Sequence, residues 1–303
     1  MSQSYDVVII GGGPAGYTAG LYSARSGFTT AIVEKLSPGG QMATTSVDNY
    51  PGFPETIDGF ELGEKMQQGA ERFGAKTIFA TVSSVDLKSD PKVLETSSGP
   101  IQAKVVIIAT GANPRHLGLP REENMSGKGV AYCATCDGRM FKDKVVAVNG
   151  GGNSAVEDAI YLAKICKKVY LVHRRDKLRA TPVYWDSLKK NGVEIVWNST
   201  VKGILGDSKV TGVELENVKT GATSELSVDG LFVAIGRKPE SSLFAGQLDM
   251  DKAGYIIAGE DTKTSLPGVY AAGDVRTKAF RQIITAASDG ANAVHSAEEI
   301  LMK

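Results

Sequence analysis

Two apolar runs, each broken by a glycine-rich turn, organise the chain. Tyr5–Ile10 carries apolar side chains on both faces, the pattern of a strand buried in a parallel sheet, and runs into Gly11-Gly12-Gly13-Pro14-Ala15-Gly16. A helical stretch to about Ser26 and a strand over Thr29–Glu34 complete a β-loop-α-β unit. A glycine- and proline-rich loop follows, holding Pro38-Gly39-Gly40-Gln41 and Asn49-Tyr50-Pro51-Gly52. Asp58 is placed to cap a helix that ends at Gly74. Short strands around Thr77–Leu87, which includes Val82, and Val93–Thr96 lead to a second buried strand, Val105–Ala109, ending in Thr110-Gly111.

The pattern then restarts. Lys144–Asn149 reads as a strand and Gly150-Gly151-Gly152-Asn153-Ser154-Ala155 as a turn, with a helix to about Ile165 and a strand over Lys168–His173. This duplication predicts an α/β chain of two Rossmann-like, three-layer dinucleotide-binding domains, the second inserted into the first. The expected boundaries are 1–112, 113–243 and 244–303, with short proline-containing hinges at Gly111–Pro120 and Arg237–Ser242. A short strand over Val269–Ala272 ends in Gly273-Asp274, and an amphipathic helix covers about Arg281–Leu301. The intervening loop should return Asp274 to the carboxyl ends of the first sheet, where open parallel sheets bind ligands.

Charge and cysteine content narrow the chemistry. The 303 residues carry 34 basic and 34 acidic side chains, so no electrostatic case exists for nucleic acid or an anionic membrane as partner. No 18-residue apolar run is present, and Met1–Asp6 has no basic region, so neither a membrane span nor a signal peptide is expected. A cytoplasmic protein is the resulting expectation. Two of three cysteines form Cys133-Ala134-Thr135-Cys136-Asp137, and Cys166 reads as an inert thiol on an apolar helical face. In a reducing compartment such a pair is more often catalytic or metal-binding than structural. The histidines at 116, 173 and 295 are too scattered to complete a zinc site, so no metal is expected.

The two glycine turns differ in the residues at the end of the next strand. Gly11, Gly13 and Gly16 precede Glu34, which lies 23 residues after Gly11 at that position. A carboxylate there accepts from ribose hydroxyls and repels a 2′-phosphate. The second turn leads to no acid but to His173-Arg174-Arg175-Asp176-Lys177-Leu178-Arg179. Guanidinium forks match phosphate oxygens, which favours NADPH over NADH. One site thus suits FAD and the other NADPH. A dithiol between them suggests a relay from nicotinamide through flavin to sulfur. A helix starting near Arg281-Gln282 would point its positive end at the flavin pyrimidine.

With these motifs in this order, the chain resembles low-molecular-weight thioredoxin reductases of the bacterial and archaeal type over essentially its whole length. The Cys-Ala-Thr-Cys-Asp box inside the nucleotide-binding insert is the most specific point of likeness. The resemblance implies that FAD contacts Gly11, Gly13, Gly16, Glu34, Gln41, Asn49, Asp274, Arg281, Gln282 and Ile283, with Pro14, Ala15, Gly40, Val82, Thr110, Gly111 and Gly273 beside them. It implies that NADPH contacts Gly152, Asn153, Ser154, His173, Arg174, Arg175 and Arg179. Cys136 would face the flavin, Cys133 would attack the thioredoxin disulfide, and Asp137 would be the acid; a turn cap is the alternative role for Asp137. The resemblance also implies a homodimer and a rotating insert. Asn149 stands where a small apolar residue is usual, and Met140-Phe141 where two aromatics are common. A flavin-dependent dithiol oxidase and a non-enzymatic redox sensor compete with this reading, but neither has a use for His173–Arg179.

Overall fold

The computed structural model describes residues 3–181 and 183–303. In chain order the elements are β1 (Gln3–Ile10), α1 (Pro14–Arg25), β2 (Thr30–Glu34), α2 (Gly59–Glu71), β3 (Lys76–Phe79), β4 (Val82–Asp86), β5 (Lys92–Thr96) and β6 (Ile101–Ile108). Then come β7 (Val130–Ala131), α3 (Ala134–Asp137), β8 (Val145–Gly150), α4 (Asn153–Leu162), β9 (Lys168–Val172), α5 (Val183–Lys190) and β10 (Glu194–Val196). The chain finishes with β11 (Ser199–Leu205), β12 (Gly212–Asn217), β13 (Thr223–Ser227), β14 (Gly230–Ala234), β15 (Val269–Ala271) and α6 (Ile283–Leu301). The chain forms two compact units. One comprises the residues up to Asn113 together with Lys238–Lys303, and the other is Pro114–Arg237.

The first unit is built on a seven-stranded sheet in the order β3-β2-β1-β6-β5-β4, with β15 also paired to β6. Strands β3, β2, β1, β6 and β15 run parallel, while β4 and β5 add an antiparallel edge. The even-numbered side chains of β1, Val8 and Ile10, pack with Val33, Val106, Phe244 and Val275 on one face. The odd-numbered Val7 and Ile9 pack with Ile32, Ile107 and the Ala15, Tyr17, Ala19 and Ala293 side chains of α1 and α6 on the other. Both faces are covered, which is why the strand is apolar at every central position.

The second unit has a five-stranded parallel sheet, β7-β14-β8-β9-β10, and a separate antiparallel sheet, β11-β12-β13. The antiparallel sheet lies outside the sequence-based expectation. Its β11 and β12 mix buried and partly buried positions and β13 is mostly exposed, so it carries no long apolar run. No helix among the described residues is long and apolar enough to cross a membrane.

Three element ends differ from expectation. Asp58 caps α2, its Oδ1 accepting from Phe60 N at 2.9 Å and Glu61 N at 3.1 Å, but the helix ends at Glu71. Gly74 (φ +97°) closes the left-handed exit turn beyond that end. Helix α6 starts at Ile283, and Gln282 is its cap, so Arg281 lies outside the helix. Helix α4 ends at Leu162, which leaves Cys166 in the turn before β9 and not on a helical face. Its half-buried thiol packs against the second unit's core, and burial, aided by the Asp143 charge, pushes it up to about 11.

Candidate redox and nucleotide-binding sites

In the first unit, Gly11 takes a left-handed turn (φ +108°), and a Cβ there would lie 2.5 Å from the Ala109 carbonyl oxygen. That turn aims the Gly11 carbonyl at Gly16, where any Cβ would collide with it. Glu34 holds the turn from the side: Gly12 N donates to its Oε2 at 2.6 Å and Leu36 N to its Oε1 at 2.9 Å. Helix α1 begins at Pro14 with Gly13 as cap and no side chain on its first-turn amides. Open space surrounds a notional Cβ on Gly13. Free amides at an open helix N-terminus, beside a carboxylate, suit a pyrophosphate and an unphosphorylated ribose.

Other expected residues of the first unit come together in pairs. Asn49 Nδ2 donates to Gln282 Oε1 at 3.0 Å. Gln41 Nε2 donates to Asn113 Oδ1 at 2.5 Å, and Asn113 Nδ2 to Glu240 Oε1 at 2.8 Å. Thr110 Oγ1 donates to the Glu240 carbonyl at 2.6 Å, next to Gly111 in a left-handed conformation. Gly40 lies against Gly13. Asp274 sits in a 3-10 turn after β15, and the Arg281 guanidinium donates to the Asp274 and Arg276 carbonyls while stacking 4.2 Å over the Tyr255 ring. Ile283 opens α6. Val82 opens the edge strand β4 two residues after Ala80, whose amide donates to the Glu34 carbonyl at 2.9 Å.

A buried ion cluster beside this loop has no counterpart among the sequence-based expectations. Arg276 grips Asp289 with two prongs, Nε to Oδ2 at 2.8 Å and Nη2 to Oδ1 at 2.7 Å. Gly273 N donates to Asp289 Oδ2 at 2.8 Å, fixing the residue before Asp274. Lys278 Nζ reaches the same Oδ2 at 2.8 Å. Burial pushes the Asp289 carboxyl up, but the hydrogen bonds from Arg276 and Lys278 outweigh it and leave it below the usual range. The only sequence signal is a lone acid on an otherwise small and apolar helix face.

In the second unit, Gly152 caps α4, again without a side chain on the first-turn amides. Asn153 Oδ1 accepts from Thr181 N at 3.0 Å, while Ser154 is exposed in the first turn of α4. His173 is 5% exposed and lies under Gly151, where a Cβ would come within 2.2 Å of its ring. Its Nε2 meets the Lys177 carbonyl at 3.1 Å, and burial first of all lowers its pKa, which favours neutral imidazole. His173 therefore shapes the turn from beneath. The exposed Arg174, Arg175 and Arg179 line a cleft of about 360 Å³. Lys177 and Lys219, not foreseen as site residues, add positive charge to it; Lys219 pairs with Asp176 at 2.7 Å.

The same unit carries the cysteines, joined as a disulfide with Cα atoms 5.3 Å apart. Cys133 caps the single turn of α3, Asp137 N donates to the Cys133 carbonyl at 3.0 Å, and the Asp137 backbone opens the next turn. Met140 projects into solvent, whereas Phe141 is buried edge-on against Phe232. Just before the pair, the Tyr132 hydroxyl donates to buried Glu122 at 3.0 Å and lies 2.9 Å from His116 Nδ1. Glu122 also accepts from the Leu117, Gly118 and Leu119 amides. This anchor is invisible in sequence, because a buried glutamate and a surface one look alike there.

Known proteins resemble this chain in sequence and in fold. The pyridine nucleotide-disulphide oxidoreductase family model matches residues 5–290. The thioredoxin reductase of Streptomyces clavuligerus is 48% identical over 99% of this chain and 95% of its own length. That of Coxiella burnetii is 46% identical over 99% and 97%. The crystal structure of thioredoxin reductase from Streptococcus pyogenes MGAS5005 superposes with a TM-score of 0.92 at 44% identity, covering 100% of this chain and 99% of that one. The family model spans most of the chain, and the chain belongs to the pyridine nucleotide-disulphide oxidoreductase family.

Proposed function

We propose that the protein is an FAD-dependent, NADPH-consuming thioredoxin-disulfide reductase, working as a homodimer in the cytoplasm. The first unit is its FAD domain and the second its NADPH domain. The observation that carries this reading is the Cys133–Cys136 disulfide lying in the unit that also holds the arginine cleft. Sequence likeness to curated thioredoxin reductases over 99% of the chain supports it.

Gly11–Gly16, Glu34, Asn49 and the 273–283 loop hold FAD, with Gln41 and Thr110-Gly111 at the margin. Gly152–Ser154 and the 174–179 arginines hold NADPH, with Arg174, Arg175 and Arg179 on its 2′-phosphate. FAD, when bound, accepts a hydride from NADPH and supplies two electrons to the disulfide. The resulting Cys133 thiolate attacks one sulfur of oxidised thioredoxin, forming a mixed disulfide and releasing the partner's other sulfur as thiolate. Asp137 delivers the proton to that leaving group. Cys136 thiolate then attacks Cys133 Sγ, which frees reduced thioredoxin and restores the Cys133–Cys136 bond.

Anaerobic stopped-flow mixing tests the reading. NADPH should bleach the flavin within a turnover, and NADH far more slowly. Cys136→Ser should keep that bleaching while thioredoxin reduction falls at least about a thousandfold, as when one member of a catalytic unit is removed. Undiminished thioredoxin turnover in the variant would contradict the assigned relay.

A further inference from the structure

The ion cluster behind the 273–283 loop is unbalanced in charge. Between Gly273 and Asp289 stand three cations, Arg276, Lys278 and Arg281, and two carboxylates, Asp274 and Asp289. Glu260 reaches Arg276 only at 3.5 Å, and its side chain is 91% exposed, so water screens most of its charge. Arg276 already satisfies both oxygens of Asp289. Lys278 is therefore a second cation on a carboxylate that has its partner, and its side chain is only 6% exposed. Burying such a surplus charge is costly unless something else uses it.

Its hydrogen bonds show where the charge is delivered. Lys278 Nζ donates to Asp289 Oδ2 at 2.8 Å and to the Thr285 carbonyl at 3.2 Å. Asp289 Oδ2 also receives Gly273 N, and Thr285 is the third residue of α6, whose hydroxyl closes the capping box with Gln282. The ammonium thus reaches one end of the loop that carries Asp274 and Arg281–Ile283 through the shared Asp289 oxygen, and the other end directly in the first turn of α6. The helix N-terminus there adds positive potential of its own.

We propose that Lys278 is a positioning and tuning residue that makes the bound flavin easier to reduce. This rests on the FAD assignment above. Two-electron reduction of FAD takes up two electrons and one proton, so the reduced form carries one more negative charge than the oxidised form. A fixed, poorly solvated cation beside the loop stabilises that form more than the oxidised one. A lysine that only clamped the loop would not discriminate between the two.

The test is the flavin midpoint potential, measured spectroscopically on a Cys133→Ser/Cys136→Ser background so that flavin alone takes electrons. Lys278→Met should make reduction about tenfold less favourable, about 30 mV more negative for a two-electron couple. Lys278→Gln, which can still donate to Asp289 and Thr285, should shift equally, and Lys278→Arg should stay at the parental value. A parental potential in Lys278→Gln would overturn the proposal. So would loss of flavin from both neutral variants, because the lysine would then be a binding clamp. A parent protein that binds no FAD would instead sink the reading on which the proposal rests.

Discussion

The two glycine turns share a plan and differ in three places. Both present a helix N-terminus capped by a glycine in extended conformation, Gly13 (φ −84°, ψ −173°) and Gly152 (φ −92°, ψ 179°). The first glycine differs: Gly11 is left-handed, whereas Gly150 continues β8 without a positive φ. The third position depends on it. Gly16 cannot carry a Cβ because the Gly11 carbonyl points at it, while its counterpart, Ala155, carries one and is fully buried. The end of the second strand differs too, a carboxylate hydrogen-bonded to the turn in one unit and a buried imidazole followed by exposed guanidiniums in the other. A common backbone device thus supplies phosphate binding, and a few side chains choose the nucleotide.

The sharpest break of this comparison is Gly16→Ala. The methyl group would meet a carbonyl oxygen that cannot rotate away without undoing the Gly11 turn. Strain of about 1–3 kcal/mol or more is expected, with most flavin absorbance lost from the purified protein. The paired control is Gly152→Ala, where a Cβ meets nothing within 4 Å and φ is ordinary. It should leave flavin content and melting temperature unchanged. If the two variants retained equal flavin, the asymmetry between the turns would have no functional weight.

Next in size is nucleotide choice. Replacing Arg174 and Arg175 by alanine removes two of the cations lining the second unit's cleft. Each charge-assisted hydrogen bond to phosphate contributes about 1.5–3 kcal/mol. The KM for NADPH should therefore rise at least about a hundredfold with that for NADH barely moved. His173→Asn offers the contrast. A buried ring packed under Gly151 should affect NADPH and NADH alike, since its loss loosens the turn and not the phosphate contact.

These residues also show how much is legible in sequence. Glycine turns between apolar runs, Glu34 at the end of β2 and the Cys133–Cys136 spacing are local, so one segment of sequence contains the whole signal. Tertiary partnerships are not local. Asp289 meets Arg276 and Lys278 across a loop, and Glu122 meets Tyr132 ten residues on. Nothing in the periodicity marks them as buried. His173 sits at the head of a basic run and reads there as a phosphate ligand, because sequence does not show that one member of the run turns inward. Helix ends are hard to place for a related reason: Gln282 and Arg281 look equally able to start α6, and only the Thr285 hydroxyl decides between them.

The smallest expected effect lies inside the paired helices. Counted from their first residues, Ala19 of α1 corresponds to Asp158 of α4. Ala19 is wholly buried, and Asp158 occupies a largely desolvated place in the second unit. Burial raises its carboxyl to about 6, the neighbouring Glu157 charge adds to this, and Arg237 opposes it. A folded-state pKa above the unfolded value near 3.8 means that the folded protein binds the proton more tightly. Stability then falls as pH rises from about 4 to about 6, and the full penalty persists above that. Asp158→Asn removes the charge and keeps the shape. It should stabilise the protein by about 1–3 kcal/mol at pH 7.5 and by almost nothing at pH 4. Ala19→Asn, placing a polar group at the matched site of the first unit, should destabilise at both pH values, because no titration stands behind it. Denaturant melts at the two pH values separate these outcomes. An Asp158→Asn gain that persisted at pH 4 would show that packing, and not ionisation, distinguishes the two helices.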